Sequence, residues 1–290
     1  AFYKQRCHLE FLGHRLLAVD GSCLLLPNHP SIKEEFGEHG WGPNADSMRS
    51  MASISLLYDP LNLVTIDAQI ASYASSEREL LMQHLSKVKA GDLLLLDRGY
   101  PSIALFFILK ALGIEFCVRM KEDWWLSVKQ FVESGKKECF VEFQLPNKDI
   151  EKLKDYPGMK EQSIRCRLVL VELENGEKQV LCSSLLDQNK YPLDCFRALY
   201  HYRWNEEEAY KLFKTRVEIE NFSGKTAKAV QQDFFAGVYM MNLCAILAFP
   251  IEEKVKKESY ESKNKHQKKI NRTSTIAMFR DICVGVFIKK

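Results

Sequence analysis

Short apolar runs bounded by polar or turn residues dominate the first 120 positions. Runs of this length predict buried strands, here at Arg15 to Asp20, Cys23 to Leu26, Ala52 to Tyr58, Leu63 to Ile70, Asp92 to Leu96 and Glu115 to Arg119. Apolar residues at helical spacing predict helices at Ser76 to Lys89 and Ser102 to Leu112. This alternation predicts a mixed α/β layer. From Lys121 to Asn189 the texture changes. Val169 to Leu173 and Gln179 to Ser184 flank Asn175-Gly176, a hairpin signal, and helix-period stretches nearly vanish. Helices are expected again at Leu193 to Val217, Ala227 to Phe249 and Ser274 to Val286.

Polar residues interrupt this pattern at three informative places. Asp20 closes Leu16-Leu17-Ala18-Val19, and Asp97 closes Leu93-Leu94-Leu95-Leu96 and precedes Arg98-Gly99-Tyr100. A strand-end Asp taken singly is more often a turn or helix cap than a ligand. The third place is the run Tyr200 to Lys214. At about 100° per residue, Tyr200, Arg203, Glu207 and Lys214 project within roughly 60° of one another on a helix. Taken alone, that stripe is an ordinary solvated face with Arg203 and Glu207 as an i, i+4 pair. Taken with the two aspartates, it fits a carboxylate set for a divalent cation flanked by phosphate-binding groups. Glu206 and Glu208 compete for the ligand role, and the spacing from Arg203 and Lys214 selects Glu207.

Composition narrows the classes. The chain has 290 residues, 46% hydrophobic and 27% charged, an ordinary globular make-up with a net charge of +3. Residues 251 to 290 hold 11 Lys/Arg against 5 Asp/Glu, a net of +6, leaving −3 for the rest. Lys254, Lys256, Lys257, Lys263, Lys265, Lys268, Lys269 and Arg272 thus form a basic tail, either a solvated face or a phosphate-binding one. Nine cysteines occur with no Cys-x-x-Cys, and the histidines show no metal spacing, which argues against zinc and for a reducing compartment. Phe234 to Pro250 is the one apolar stretch that suggests a membrane, and its Asn242 and terminal Pro predict a buried core helix instead. Gly224-Lys225-Thr226 lacks the earlier glycine of a phosphate loop, so no nucleotide cofactor is expected.

Leu17-Ala18-Val19-Asp20-Gly21-Ser22, Leu95-Leu96-Asp97-Arg98-Gly99-Tyr100 and the Tyr-x2-Arg-x3-Glu-x6-Lys pattern together resemble the DDE transposases of bacterial insertion sequences, specifically the insertion-sequence-four family. Leu26-Pro27-Asn28, Ser55 to Asp59 and Phe222 to Thr226 add to the likeness, which runs from about Arg15 to about Leu247. The resemblance implies a ribonuclease-H-like mixed sheet flanked by helices, formed by residues 1–120 and 190–250. A mostly β insertion at 121–189 would precede the helix carrying Glu207, and 251–290 would be a basic helical tail. It implies Asp20, Asp97 and Glu207 as catalytic ligands of two Mg²⁺ ions, with Mn²⁺ able to substitute and Asp20 bridging. Tyr200, Arg203 and Lys214 would bind DNA phosphates.

The activity implied is cleavage of transposon ends and strand transfer to target DNA, by a homodimer in a DNA complex, in the bacterial cytoplasm at the nucleoid. Two rival readings are a metal-dependent nuclease without strand transfer and a non-catalytic DNA-binding remnant. The chain begins at Ala1, 19 residues before Asp20, and the resemblance implies a DNA-binding region ahead of it. Hairpin-forming relatives stack a flipped base on a tryptophan of the insertion. Val180 to Ser184, the comparable strand, has none, leaving Trp124 and Trp125 as the aromatic alternatives.

Overall fold

The computed structural model describes residues 3, 8–41, 47–154, 156, 163–173, 176–215, 217–262 and 270–288. Asn175 of the expected hairpin turn and Lys263, Lys265, Lys268 and Lys269 of the basic tail lie outside them, as does the side chain of Lys256. The strands are β1 (Leu16–Leu25), β2 (Glu38–Trp41), β3 (Ser47–Asp59), β4 (Val64–Ser72), β5 (Leu93–Leu96), β6 (Glu115–Met120), β7 (Glu138–Gln144), β8 (Ser163–Glu172) and β9 (Lys178–Ser183). The helices are α1 (Pro30–Phe36), α2 (Glu77–His84), α3 (Ile103–Ala111), α4 (Leu126–Glu133), α5 (Asn147–Leu153), α6 (Cys195–His201), α7 (Trp204–Thr215), α8 (Ala227–Glu261) and α9 (Arg272–Ile288).

All nine strands form one sheet in the order β2-β3-β1-β5-β6-β9-β8-β7, with β4 added on β3. Its centre, β1-β5-β6, is parallel, and the flanks are antiparallel. Parallel strands are buried on both faces, which is why their sequences read as unbroken apolar runs. Leu17, Val19, Leu94 and Leu96 enter the core shared with α2 and α3, while Leu16, Ala18, Leu93 and Leu95 enter the core shared with α6.

The structure differs from expectation in four elements. Arg15 to Asp20 and Cys23 to Leu26 are parts of one strand, because the long β3 pairs with β1 continuously across Gly21 and Ser22. Residues 121–189 contain two helices, α4 and α5, besides their strands, and those strands extend the central sheet through the β6–β9 pair. These helices are seven or eight residues long, too short to print a helical period on the sequence. Leu193 to Val217 is two helices, not one.

The fourth difference is α8, which is not a buried core helix. It runs 35 residues through Pro250 and is long and apolar enough, by length and composition alone, to cross a membrane. Val230, Phe234 and Cys244 are buried, while Phe235, Tyr239, Leu247 and Ile251 are exposed. The helix lies on β4, which among the described residues pairs with β3 alone. There Asn242 accepts from the Thr65 amide at 2.7 Å through Oδ1 and donates to the Thr65 carbonyl at 2.7 Å through Nδ2, blunting the edge. The residue that argued against a membrane is therefore a lock on the sheet. Thr226, in the stretch that resembled a phosphate loop, caps α8 by accepting from the Ala229 amide. Arg272 stands near the buried Tyr58 phenol.

Candidate active site

The parallel register of β1 and β5 pairs Val19 with Leu96, so the next residues, Asp20 and Asp97, stand side by side where β5 ends. Leu16 and Ala18 on β1, and Leu93 and Leu95 on β5, face α6. Side chains alternate along a strand, so Asp20 and Asp97 continue those two rows on the same face. Two apolar rows thus end in two carboxylates at one edge of a dry core.

α6 packs on this face through Phe196 and Leu199 and brings Tyr200, whose hydroxyl donates to Asp97 Oδ1 at 3.1 Å. Arg119 of β6 places its Nε 3.3 Å from the same oxygen. The chain then breaks at Tyr202 and Arg203. The amides of Arg203, Asn205 and Glu206 bond to carbonyls three residues back, and the Asn205 side chain is held by the Pro60 carbonyl at 3.1 Å. That break aims Arg203 inward. Its guanidinium, 3% exposed, pairs with Glu207 Oε1 at 2.6 Å and with Asp20 Oδ2 at 3.5 Å. Glu207 is half open to solvent. Glu208 points away and pairs with Lys211. Lys214 donates to the Cys23 carbonyl on β1 at 2.7 Å. Tyr200 and Arg203 of the helical stripe thus touch Asp97 and Asp20 directly, Glu207 joins them through Arg203, and Lys214 anchors on β1 three residues beyond Asp20, although no single helix carries the four.

Burial pushes the Asp20 carboxyl up to about 6, against the opposing pull of the Gly21 amide, which donates to its Oδ1 at 2.8 Å, and of Arg203. Arg203, by contrast, is held firmly charged by Tyr200, Asp97 and Glu207 despite its burial.

Several residues of this site were not legible as such in the sequence. Glu206 is 0% exposed and among the described residues neither carboxyl oxygen has a hydrogen-bond partner within bonding distance, so burial and the nearby Asp20 push its pKa well above the ordinary value of 4.5. Tyr210, one turn further, inserts its hydroxyl into the β1–β3 ladder. It accepts from the Leu56 amide at 3.0 Å and donates to the Asp20 carbonyl at 2.7 Å. Ser55 donates to the same carbonyl at 3.1 Å and lies 3.1 Å from His84 Nε2, while His84 Nδ1 lies 2.8 Å from Asp67. This Ser-His-Asp chain is no nucleophile device, since Ser55 and His84 are fully buried and the hydroxyl is spent on Asp20. It fixes the backbone that carries Asp20.

Glu206 makes the first testable case. A carboxyl whose folded pKa is raised contributes its full stability below the unfolded value and loses it as pH rises towards the folded value. Glu206→Gln is therefore expected to gain stability relative to the parent above about pH 5. Glu206→Ala should lose about 1–3 kcal/mol from the emptied site at acidic pH. Urea midpoints across pH 4 to 8 measure both, and a pH-independent gap between Gln variant and parent would refute a buried neutral carboxyl.

Of the aromatic alternatives, Trp125 packs against Phe106 and Phe143 with centroids 5.7 and 5.0 Å away, whereas Trp124 is 49% exposed beneath Lys121 at 4.8 Å. Asp20, Asp97 and Glu207 offer hard oxygen donors, which suit Mg²⁺ or Mn²⁺ in kind. Among the described residues no three His, Cys, Asp or Glu side chains are yet close enough to share an ion, and Arg203 stands between Asp20 and Glu207.

A family model described as a transposase DDE domain matches residues 12–243. The chain is 23% identical over 257 residues to transposase InsG for insertion sequence element IS4 of Escherichia coli (strain K12), a match covering 86% of this chain and 55% of that protein. Its fold is similar to that of a piggyBac transposase in a synaptic complex with hairpin DNA. The TM-score is 0.51 and the identity 10%, over 91% of this chain and 51% of that one. The chain spans about half the length of these relatives, and its mixed sheet is of the ribonuclease-H-like class expected. Because the family match covers most of the chain and includes Asp20, Asp97 and Glu207, the chain belongs to the transposase DDE domain family.

Proposed function

We propose that this chain is the catalytic part of an insertion-sequence transposase that cuts transposon ends and joins their 3′-hydroxyls to target DNA. The observation that carries this reading is Arg203. One buried guanidinium touches both Asp20 and Glu207, and Tyr200, three residues earlier, touches Asp97, so carboxylates 77 and 110 positions apart in the chain meet in one polar patch. Asp20, Asp97 and Glu207 hold the divalent cations, two Mg²⁺ or Mn²⁺ ions. Such ions supply activation of the attacking oxygen and charge stabilisation for the leaving one.

The remaining steps fall to the protein's own groups. Asp20 would hold a cation in its carboxylate form, which the Gly21 amide and Arg203 favour against burial. Arg203 then exchanges its carboxylate partners for a DNA phosphate, which its planar fork can grip by two hydrogen bonds. Tyr200 orients Asp97. Lys214, anchored on β1 three residues beyond Asp20, adds a point charge for phosphate. Transposon-end and target DNA are the partners, and two copies act together on paired ends.

The rival reading is a nuclease that cuts without joining. Incubating the full-length protein with end-bearing DNA, target plasmid and Mg²⁺ separates them. Joined products are expected, cut ends alone would favour the nuclease, and intact DNA would overturn both.

A further inference from the structure

Glu77 opens α2, placed there by a capping box between Ser76 and Glu79. Its side chain crosses the two glycines that follow the strand-end aspartates. A Cβ on Gly21 would stand 3.1 Å from Glu77 Cγ and 3.2 Å from Oε1, and a Cβ on Gly99 would stand 2.7 Å from Oε2. Neither glycine has a positive φ, so the backbone does not require glycine at either place. A Cβ at either place would instead meet the outer atoms of the Glu77 side chain, which would have to move aside. Gly21 continues the row of Leu17 and Val19, which faces α2, so Glu77 reaches the carboxylates from the side of the sheet opposite α6.

Among the described residues Glu77 makes no hydrogen bond or ion pair, and the charged group bearing on it most is Asp97. A second observation points to a ligand at the same place. Among the described residues the fully buried Tyr100 hydroxyl has no hydrogen-bond partner, and the carboxyls bearing on it are Glu77, Glu206, Asp20 and Asp97. Three exposed or half-buried carboxylates, together with the buried Glu206 carboxyl, bear on one unpaired hydroxyl, an environment that a hydrated cation satisfies and a neutral ligand does not.

We propose that Glu77 is a fourth carboxylate of the cation centre, entering from the α2 face while Glu207 enters from the α7 face. This inference rests on the metal reading of Asp20 and Asp97 given above. A side chain at position 21 or 99 would push the Glu77 carboxylate off this route.

The test is direct Mn²⁺ binding, followed by electron paramagnetic resonance, on the full-length protein without DNA. Glu77→Gln is expected to weaken Mn²⁺ binding by about 10- to 100-fold, the range for losing one group of a metal site. Gly99→Ala keeps the charge but pushes the carboxylate aside, and should weaken binding in the same direction. If Glu77 serves only the helix terminus, Glu77→Gln lowers Tm and leaves Mn²⁺ affinity unchanged, which overturns the inference. Mn²⁺ binding by the parent that Asp97→Asn does not weaken would overturn instead the metal reading beneath it.

Discussion

Glu207→Gln is expected to lower cleavage of transposon-end DNA by about 10²- to 10³-fold or more, the scale on which losing one group that stabilises transition-state charge is felt. The protein should remain folded. Glu207 sits at a partly open position, and a glutamine there can still accept the hydrogen bond that Arg203 Nη2 now gives to Oε1 at 2.6 Å. What the amide cannot supply is the negative charge that a hard cation selects. The neighbouring residues act as controls of opposite kind. Glu208→Gln removes only an exposed pair with Lys211 and should leave cleavage unchanged, since such pairs contribute little. Glu206→Gln replaces a fully buried carboxyl whose burial disfavours its charged form, so any effect on cleavage should stay within a few fold. Measured rates for the three variants on one DNA substrate decide the matter. Equal losses at positions 207 and 208 would mean that the helix as a whole, and not one carboxylate, is needed.

Arg167→Ala is expected to destabilise the fold by about 2–5 kcal/mol, because it empties a fully buried site and leaves the buried Tyr191 carbonyl without its donor, while the half-exposed Glu138 can turn to water. Arg167 is 1% exposed. It pairs with Glu138 across the β7–β8 ladder, donates to the Tyr191 carbonyl at 2.7 Å, and lies over the Phe196 ring at 5.0 Å. Tyr191 in turn bonds His14 Nε2 at 2.7 Å, and His14 Nδ1 bonds the Gly91 carbonyl at 2.7 Å. One side chain thus ties residues 121–189 to the loop entering β5 and to the start of α6, the helix that delivers Tyr200 to Asp97. Arg167→Met fills most of the volume without the charge and should lose clearly less than the alanine variant. Urea unfolding with an unchanged slope and a lowered midpoint is the expected result. A loss under about 1 kcal/mol for the alanine variant would show that water replaces the guanidinium at no great penalty.

The central strands and the polar pattern that meets at their ends were legible in the residue order because each obeys a local rule. Leu93 to Leu96 reads as a buried strand since both its faces are dry, and Asp97 stands out because a charge ends so apolar a run. The spacing of Tyr200, Arg203, Glu207 and Lys214 identified the residues that meet at the site, although their single helix is in fact two. What the sequence left open involves distance across the chain. Whether Glu206 or Glu207 is buried depends on the break at Arg203, which Asp20 and Pro60 impose from more than 140 positions away. Glu77 carries no motif beyond a capping box, and it becomes a candidate ligand only because two glycines on other elements leave room for it. Ser55, His84 and Asp67 meet only through the stacking of α2 on the β3–β4 hairpin. Local periodicity and composition determine elements and their faces. Packing decides which charges those faces bury together, because the free energy of a buried charge depends on neighbours that residue order alone does not place.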